Sequence, residues 1–349
     1  MATNTFDIKD LIRENIAKLK PYSSARDEFI DFNAEMIFLD ANENPFENGL
    51  NRYPDPYQLK LKEKFSKMNS MPIENILLGN GSDEVLDLIF RAFCEPIKDN
   101  IITMPPTYGM YKVLSEINNI ENKEVVLTNK FQIDVVNVLS SIDKNTKLIF
   151  ICSPNNPTGN LMDRMIIEQL LENFNGLVIL DEAYINFSET KSWVNEIKKY
   201  PNLIVTQTLS KAFGLAGIRL GVCYANTEII QVLNKIKPPY NVNQLTQQKA
   251  FEVLSNLDLV KSQVKEIKKN KVKLTEALKS INFIEKIYPS EANFILVKVD
   301  DADIRYQQLL KKGMVVRNRN NQTLCKNTLR FTIGTKEEVN KLIKELKSI

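Results

Sequence analysis

Between about residues 75 and 225 the chain repeats one device. A short, nearly all-apolar run is followed by a cluster of glycine, proline, asparagine or charged residues, and then by a stretch with helical spacing. The apolar runs are Ile76–Leu78, Ile101–Thr103, Val125–Leu127, Leu148–Cys152, Leu177–Leu180, Leu203–Gln207 and Gly221–Tyr224. Asp83–Phe93 and Arg164–Phe174 have helical spacing. Strands that are apolar on both faces and alternate with helices predict an α/β layer around a mainly parallel sheet. In such a sheet, ligands gather at the carboxyl ends of the strands, where the polar clusters fall.

The 349 residues exceed the ~250–300 at which a single core stops growing, so a second unit is expected. The pattern changes where it should begin. From about 242 to 281, Leu, Val and Ile recur at spacings of three and four among Lys and Glu, which predicts one or two long helices. Phe294–Val299, Met314–Arg317 and Leu329–Ile333 then read as strands and Lys336–Leu346 as a closing helix, giving a smaller α+β domain.

The chain has no histidine. That excludes Ser-His-Asp and Cys-His catalysis and every histidine metal site, so proton transfer must fall to Lys, Tyr, Asp, Glu, Cys or a cofactor. The four cysteines are scattered without a C-x-x-C pair, which leaves zinc without support and suits a reducing compartment. A net charge of +3 is too small to argue for nucleic acid. The first residues are polar and of mixed charge, and no apolar run approaches the ~18 residues of a membrane span, so a cytoplasmic location is expected.

Four strand ends carry the chemistry. Thr208-Leu209-Ser210-Lys211-Ala212-Phe213-Gly214, with Arg219 eight residues beyond the lysine, places an amine where desolvation would free it as a nucleophile. Asp181-Glu182-Ala183-Tyr184 ends another strand; its acid could face a cationic ring nitrogen. A magnesium-binding acid is the alternative, but the phosphate loop it needs is missing. Ser153-Pro154-Asn155-Asn156-Pro157-Thr158-Gly159 is a rigid turn able to present an asparagine amide. Gly79-Asn80-Gly81-Ser82-Asp83-Glu84 opens a helix whose first N–H groups could hold phosphate.

In chain order, from the glycine turn through the asparagine turn and Asp-x-x-Tyr to Ser-Lys and Arg219, the four motifs resemble the fold-type I, class I/II aminotransferases, which use pyridoxal 5'-phosphate. The resemblance covers nearly the whole chain. It implies that Lys211 carries the cofactor as a Schiff base and moves the proton, with Asp181 pairing with the ring nitrogen. Tyr184 and Asn156 would bond the ring oxygen, and Tyr108 would stack on the ring. Ser210, Thr208, Arg219 and the backbone of Gly81, Ser82 and Asp83 would hold the phosphate. Tyr53 would reach the cofactor of a second subunit, making the unit a homodimer.

Three further stretches are similar to the histidinol-phosphate aminotransferases: Leu19 to Arg26, Leu39 to Pro45 and Asn51 to Asp55. So is the spacing of Arg317 and Arg330. This resemblance implies amino transfer between L-histidinol phosphate and 2-oxoglutarate, giving imidazole-acetol phosphate and L-glutamate, in histidine biosynthesis. Tyr22, Asn156, Arg317 and Arg330 would bind substrate, because arginine's planar fork suits phosphate and carboxylate alike. The ordinary alternative for the two arginines is a surface ion pair. The sequence departs from the pattern at Asp40 and by an extra arginine, Arg319, left open between the pocket and water. The implied layout is an N-terminal arm at 1–40 belonging to the smaller domain, a large domain at 41–243 and a small one at 244–349. An aromatic amino acid aminotransferase and a phospho-amino-acid decarboxylase on the same scaffold stay open as alternatives. A cofactor-binding regulator does not fit, since no helix-turn-helix pattern precedes the first motif.

Overall fold

The computed structural model describes residues 6–21 and 37–349. Seven strands form the main sheet: β1 (Ile76–Asn80), β2 (Asn100–Thr103), β3 (Glu121–Glu124), β4 (Thr146–Cys152), β5 (Leu177–Asp181), β6 (Leu203–Thr208) and β7 (Leu220–Tyr224). Their spatial order is β1-β7-β6-β5-β4-β2-β3. β7 lies antiparallel to both neighbours, while β2 to β6 pair in parallel. The expected mainly parallel α/β sheet is present.

Alternation along each strand sends residues to two separate cores. Ile149 and Ile151 of β4 join the cluster on one face with Val178, Leu180 and Val205. Leu148, Phe150 and Cys152 join the cluster on the other face with Leu177, Ile179 and Ile204. Both faces are covered by helices, and this is why the strands read as unbroken apolar runs.

One strand lies away from its expected position. Val125–Leu127 is apolar, but the ladder partner of β2 is the polar segment just before it, Glu121–Glu124. β3 is the sheet's edge, so half its surface meets water and it needs no apolar run. Val125 and Leu127 still donate backbone hydrogen bonds to Thr103 and Pro105, extending the contact beyond the ladder.

The second sheet contains β8 (Ile284–Ile287), β9 (Phe294–Val299), β10 (Arg317–Asn318) and β11 (Thr328–Thr332), ordered β10-β11-β9-β8 and wholly antiparallel. β8 was not anticipated, and only the end of the expected Met314–Arg317 strand pairs. The helix Leu257–Leu278 and the closing helix Lys336–Leu346 bury Leu274, Leu278, Val339, Leu342 and Leu346 against it. A small cluster of Tyr184, Phe187, Ala212, Ala292 and Phe294 joins this unit to the strand ends of the main sheet.

Two packing details correct the expected layout. The arm was placed with the smaller domain, yet within its described part Ile8, Leu11 and Ile16 sit in the main sheet's core beside Val85, Phe93 and Ile230. Arg13 also bonds the carbonyls of that core's helix and pairs with Glu95 at 3.0 Å. Likewise Ala250 and Leu254 of the helix Gln244–Leu254, expected with the smaller domain, pack into the main sheet's other core. In both cases a short segment buried its apolar residues on the nearest large apolar face, which sequence distance does not reveal.

Candidate active site

Every chemical motif sits at a strand end on the same edge of the main sheet. At the end of β1, Gly81 has φ +74° and opens the helix Gly81–Phe93. Its N–H donates to the carbonyl of Arg219 at 2.8 Å, and a Cβ there would come within 2.7 Å of the Arg219 guanidinium. Across the ladder Gly221 is equally confined, since a Cβ would lie 2.3 Å from the Gly81 carbonyl carbon and the Ser82 nitrogen. Glycine at both positions lets two backbones and a guanidinium converge at a helix start. Arg219 pairs with Asp83 at 3.3 Å and reaches Ser210 Oγ at 3.5 Å. Thr208 Oγ1 accepts the Ser210 N–H at 3.1 Å, which holds the turn before Lys211.

Asp181 ends β5 and is buried. Its Oδ2 accepts the Tyr111 hydroxyl at 2.8 Å and its Oδ1 the Ala183 N–H at 3.1 Å. Burial pushes its carboxyl up to about 6, and the Tyr111 bond opposes the rise. The Tyr111 phenol itself is driven well above its ordinary value by burial, then by the Asp181 charge, so it remains a donor. Tyr111 stacks on Phe150 and meets Tyr108 edge-on. Glu182, next in the chain, points the other way. It accepts from the Ser192 hydroxyl, the Trp193 N–H at 2.8 Å and Gln207 Nε2 at 2.9 Å, and burial raises it to about 7.

Lys211 projects into the cleft with its ammonium 5.7 Å from the Tyr184 ring centre. Desolvation first, then the nearby Arg330 charge, lower its pKa. Tyr108 donates to Asp83 Oδ1 at 3.1 Å. Asn156 is buried in its turn and accepts a hydrogen bond from Arg330 Nη1. From the second sheet, Arg317 and Arg330 stand opposite each other on β10 and β11, and the Arg330 guanidinium lies 5.0 Å from the Phe294 ring centre.

These side chains line one cavity of about 360 Å³, which holds Ser82, Asp83, Tyr108, Asn156, Asp181, Tyr184, Thr208, Ser210, Lys211, Arg219, Arg317 and Arg330. Arg319 lines it too. The charges in it are unusual. Of the nine described arginines, Arg13, Arg52, Arg91, Arg164, Arg219 and Arg305 each pair with a carboxylate. Arg317, Arg319 and Arg330 have no carboxylate partner among the described residues, which leaves a concentrated positive charge facing Lys211.

Comparison with known proteins gives the family. The model of the family "Aminotransferase class I and II" matches residues 35–346. A histidinol-phosphate aminotransferase of Flavobacterium johnsoniae is 64% identical over 345 residues, covering 99% of each chain. One from Christiangramia forsetii is 63% identical over 344 residues, 99% of this chain and 98% of that protein. The crystal structure of the histidinol-phosphate aminotransferase from Clostridium acetobutylicum superposes with a TM-score of 0.79 at 27% identity, covering 86% of this chain and 90% of that one. The chain belongs to the histidinol-phosphate aminotransferases of class I and II.

Aminotransferases of this family work with pyridoxal phosphate, and the donors present fit that group. A helix start, two hydroxyls and Arg219 gather at one end of the cavity, a buried carboxylate lies at its floor, and a lysine with a lowered pKa stands between them. No group of histidine, cysteine or acidic residues among the described residues could hold a metal ion. No described helix is long and apolar enough to cross a membrane.

Among the described residues, two expected ones do not line this cavity: Gly81, which lies just behind Ser82 at the helix start, and Tyr53. Tyr53 lines a separate one of about 530 Å³ with Arg52, Asn243 and Leu245, and its ring stacks on Tyr240 at 4.5 Å. Tyr22 lies outside the described residues. The sequence reading missed Tyr111 altogether. Its position three residues beyond Tyr108 offered a hint, but a buried hydroxyl aimed at Asp181 leaves no trace in composition or periodicity.

Proposed function

We propose that the chain moves the amino group of L-histidinol phosphate to 2-oxoglutarate, reversibly, in a two-step cycle on pyridoxal phosphate carried by Lys211. What carries this reading is the set of arginines facing Lys211 that have no carboxylate partner among the described residues, because both substrates are anions that must enter the same cavity in turn. Arginine forks bind phosphate and carboxylate with paired hydrogen bonds.

When bound, the cofactor supplies an electron sink that makes the substrate α-hydrogen acidic. The chain's own residues do the rest. Lys211, its amine partly freed by desolvation, takes that proton and returns it. Asp181, held by Tyr111 and the Ala183 amide, keeps a proton on the ring nitrogen. Asn156 Oδ1 accepts from Arg330, which leaves its amide N–H groups free to donate, and with the Tyr184 hydroxyl they would hold the ring oxygen. Gly81, Ser82 and Asp83 offer backbone N–H groups to the phosphate beside Thr208, Ser210 and Arg219, and Tyr108 covers the ring. Arg317 and Arg330 would bind the substrate anion, a role the family resemblance extends to Tyr22. With no histidine in the chain, recognition of the imidazole falls to aromatic, amide or apolar contacts.

The working unit in this reading is a homodimer in the cytoplasm. Leu50, Tyr53 and Leu245 are exposed apolar residues lining the Tyr53 cavity, and Ile37, Leu39 and Phe46 of the preceding stretch are exposed too, a surface suited to a second copy. From there Tyr53 would reach the partner's cofactor phosphate. The two sheets with their helices serve as large and small domains.

The test is a half-reaction. Purified holoenzyme receives L-histidinol phosphate without keto acid, and the yellow absorbance of lysine-bound cofactor is followed. Loss of that colour, with imidazole-acetol phosphate as product, is expected. A response to phenylalanine or tyrosine alone, or release of carbon dioxide, would refute the substrate.

A further inference from the structure

Arg319 is the residue that neither the family spacing nor the cofactor explains, and the loop around it shows where it points. Asn318 Nδ2 and Asn320 Nδ2 reach the two oxygens of Asp303, at 2.6 and 2.8 Å, on the outer side of the second sheet. Alternation in extended chain then sends Arg317 and Arg319 to the opposite side, into the cavity. The backbone is fixed as well: Arg319 N–H donates to the Thr328 carbonyl at 2.9 Å, and Asn327 N–H to Asn320 Oδ1 at 2.8 Å.

Among the described residues, the guanidinium so held has no partner that would explain it structurally. Its Nε is buried without a hydrogen bond, as is that of Arg330, and no carboxylate among the described residues pairs with it. Burial, then the charges of Arg330 and Arg317, push its pKa down to about 10. A folded chain that keeps three mutually repelling guanidiniums around one cavity is built for an anion of high charge.

Oxygen count separates the two substrates. Glutamate carries its two carboxylates at opposite ends of its chain; each offers two oxygens and one charge to a given subsite, and two arginine forks saturate it. A phosphate monoester has three terminal oxygens and close to two charges at neutral pH. A third arginine is surplus to the first anion and matched to the second. We infer that Arg319 is a specificity residue that binds the additional oxygen and charge of a phosphate ester, and so sets the preference for the phosphorylated amino donor over glutamate.

This rests on the proposed substrate pair, and the experiment separates the two ideas. Arg319→Gln and Arg319→Lys holoenzymes are titrated with L-histidinol phosphate and, separately, with L-glutamate. Inorganic phosphate is then used as a competitor in the glutamate half-reaction. Losing a charge-assisted bond should raise the half-saturating histidinol phosphate concentration roughly 10-fold or more in Arg319→Gln. The value for glutamate should change much less, competition by phosphate should weaken, and Arg319→Lys should fall between. Equal loss for both substrates, or none for either, overturns the inference. Should Arg319→Gln fold poorly, the Lys variant and the phosphate arm carry the same comparison. If the unaltered enzyme ignores histidinol phosphate, the substrate reading fails, while phosphate competition still tests Arg319.

Discussion

Replacing Tyr111 by Phe removes one oxygen and leaves the ring stacked on Phe150. What changes is the support of Asp181, which loses the 2.8 Å bond to its Oδ2. A hydrogen bond to a charged group contributes about 1.5–3 kcal/mol. At about 1.4 kcal/mol per tenfold, that loss would raise the Asp181 carboxyl from about 6 to roughly 7–8. The cofactor's ring nitrogen needs the ionised acid, so the weakening of cofactor binding must grow as pH falls. Taking only ionised Asp181 as competent, affinity drops by ~7- to 80-fold at pH 6 and by less than ~1.3-fold at pH 9. Equilibrium titration of the apoenzyme with pyridoxal phosphate from pH 6 to 9 measures this directly. A loss of equal size across the range would mean that Tyr111 acts through packing alone. No loss at pH 6 would mean that Asp181 needs no help to stay charged.

Further consequences can be checked with similar economy. In the apoenzyme the buried Asp181 titrates above its unfolded value of 3.8, so its ionised form is the disfavoured one in the fold. That penalty is full above about pH 6 and absent below about pH 4; Asp181→Asn should therefore stabilise the apoenzyme by up to about 3 kcal/mol at pH 8 and by nothing at pH 4, as urea midpoints would show. Gly221→Ala drives a methyl into the backbone of Gly81 and Ser82 and should cost about 1–3 kcal/mol of stability together with cofactor affinity; unchanged binding would sink the account of the phosphate cradle. If Tyr53 serves the partner's site, mixing Lys211→Ala with Tyr53→Ala subunits should yield more activity than the two variants measured apart, because a hybrid dimer keeps one complete site.

The sequence exposed what lies at strand ends and hid what depends on how surfaces meet. Asp181, Asn156, Lys211 and Arg219 were legible because short buried strands stop abruptly, and whatever follows must face the same edge of the sheet. β3 was misplaced because an edge strand need not be apolar. Tyr111 was invisible because its partner, Asp181, lies 70 residues away, across two strand–helix units. Arg319 was visible but undecided, since only Asp303 holding Asn318 and Asn320 outward reveals that Arg319 turns inward. The packing of Ile8, Leu11 and Ile16 on the main sheet was likewise a matter of which apolar face lay nearest.

Glu182 gives the molecule a property of its own. The chain has a single tryptophan, Trp193, buried under Arg164 at 4.1 Å, and its amide is tied to the carboxylate next to Asp181. All indole emission therefore comes from one rigid spot whose anchor is the immediate neighbour of the cofactor's acid. Arrival of a chromophore at Lys211 should quench that light by energy transfer, and its release should restore it. The unlabelled protein thus carries its own gauge of cofactor occupancy, readable at concentrations too low for the coenzyme's colour to be seen.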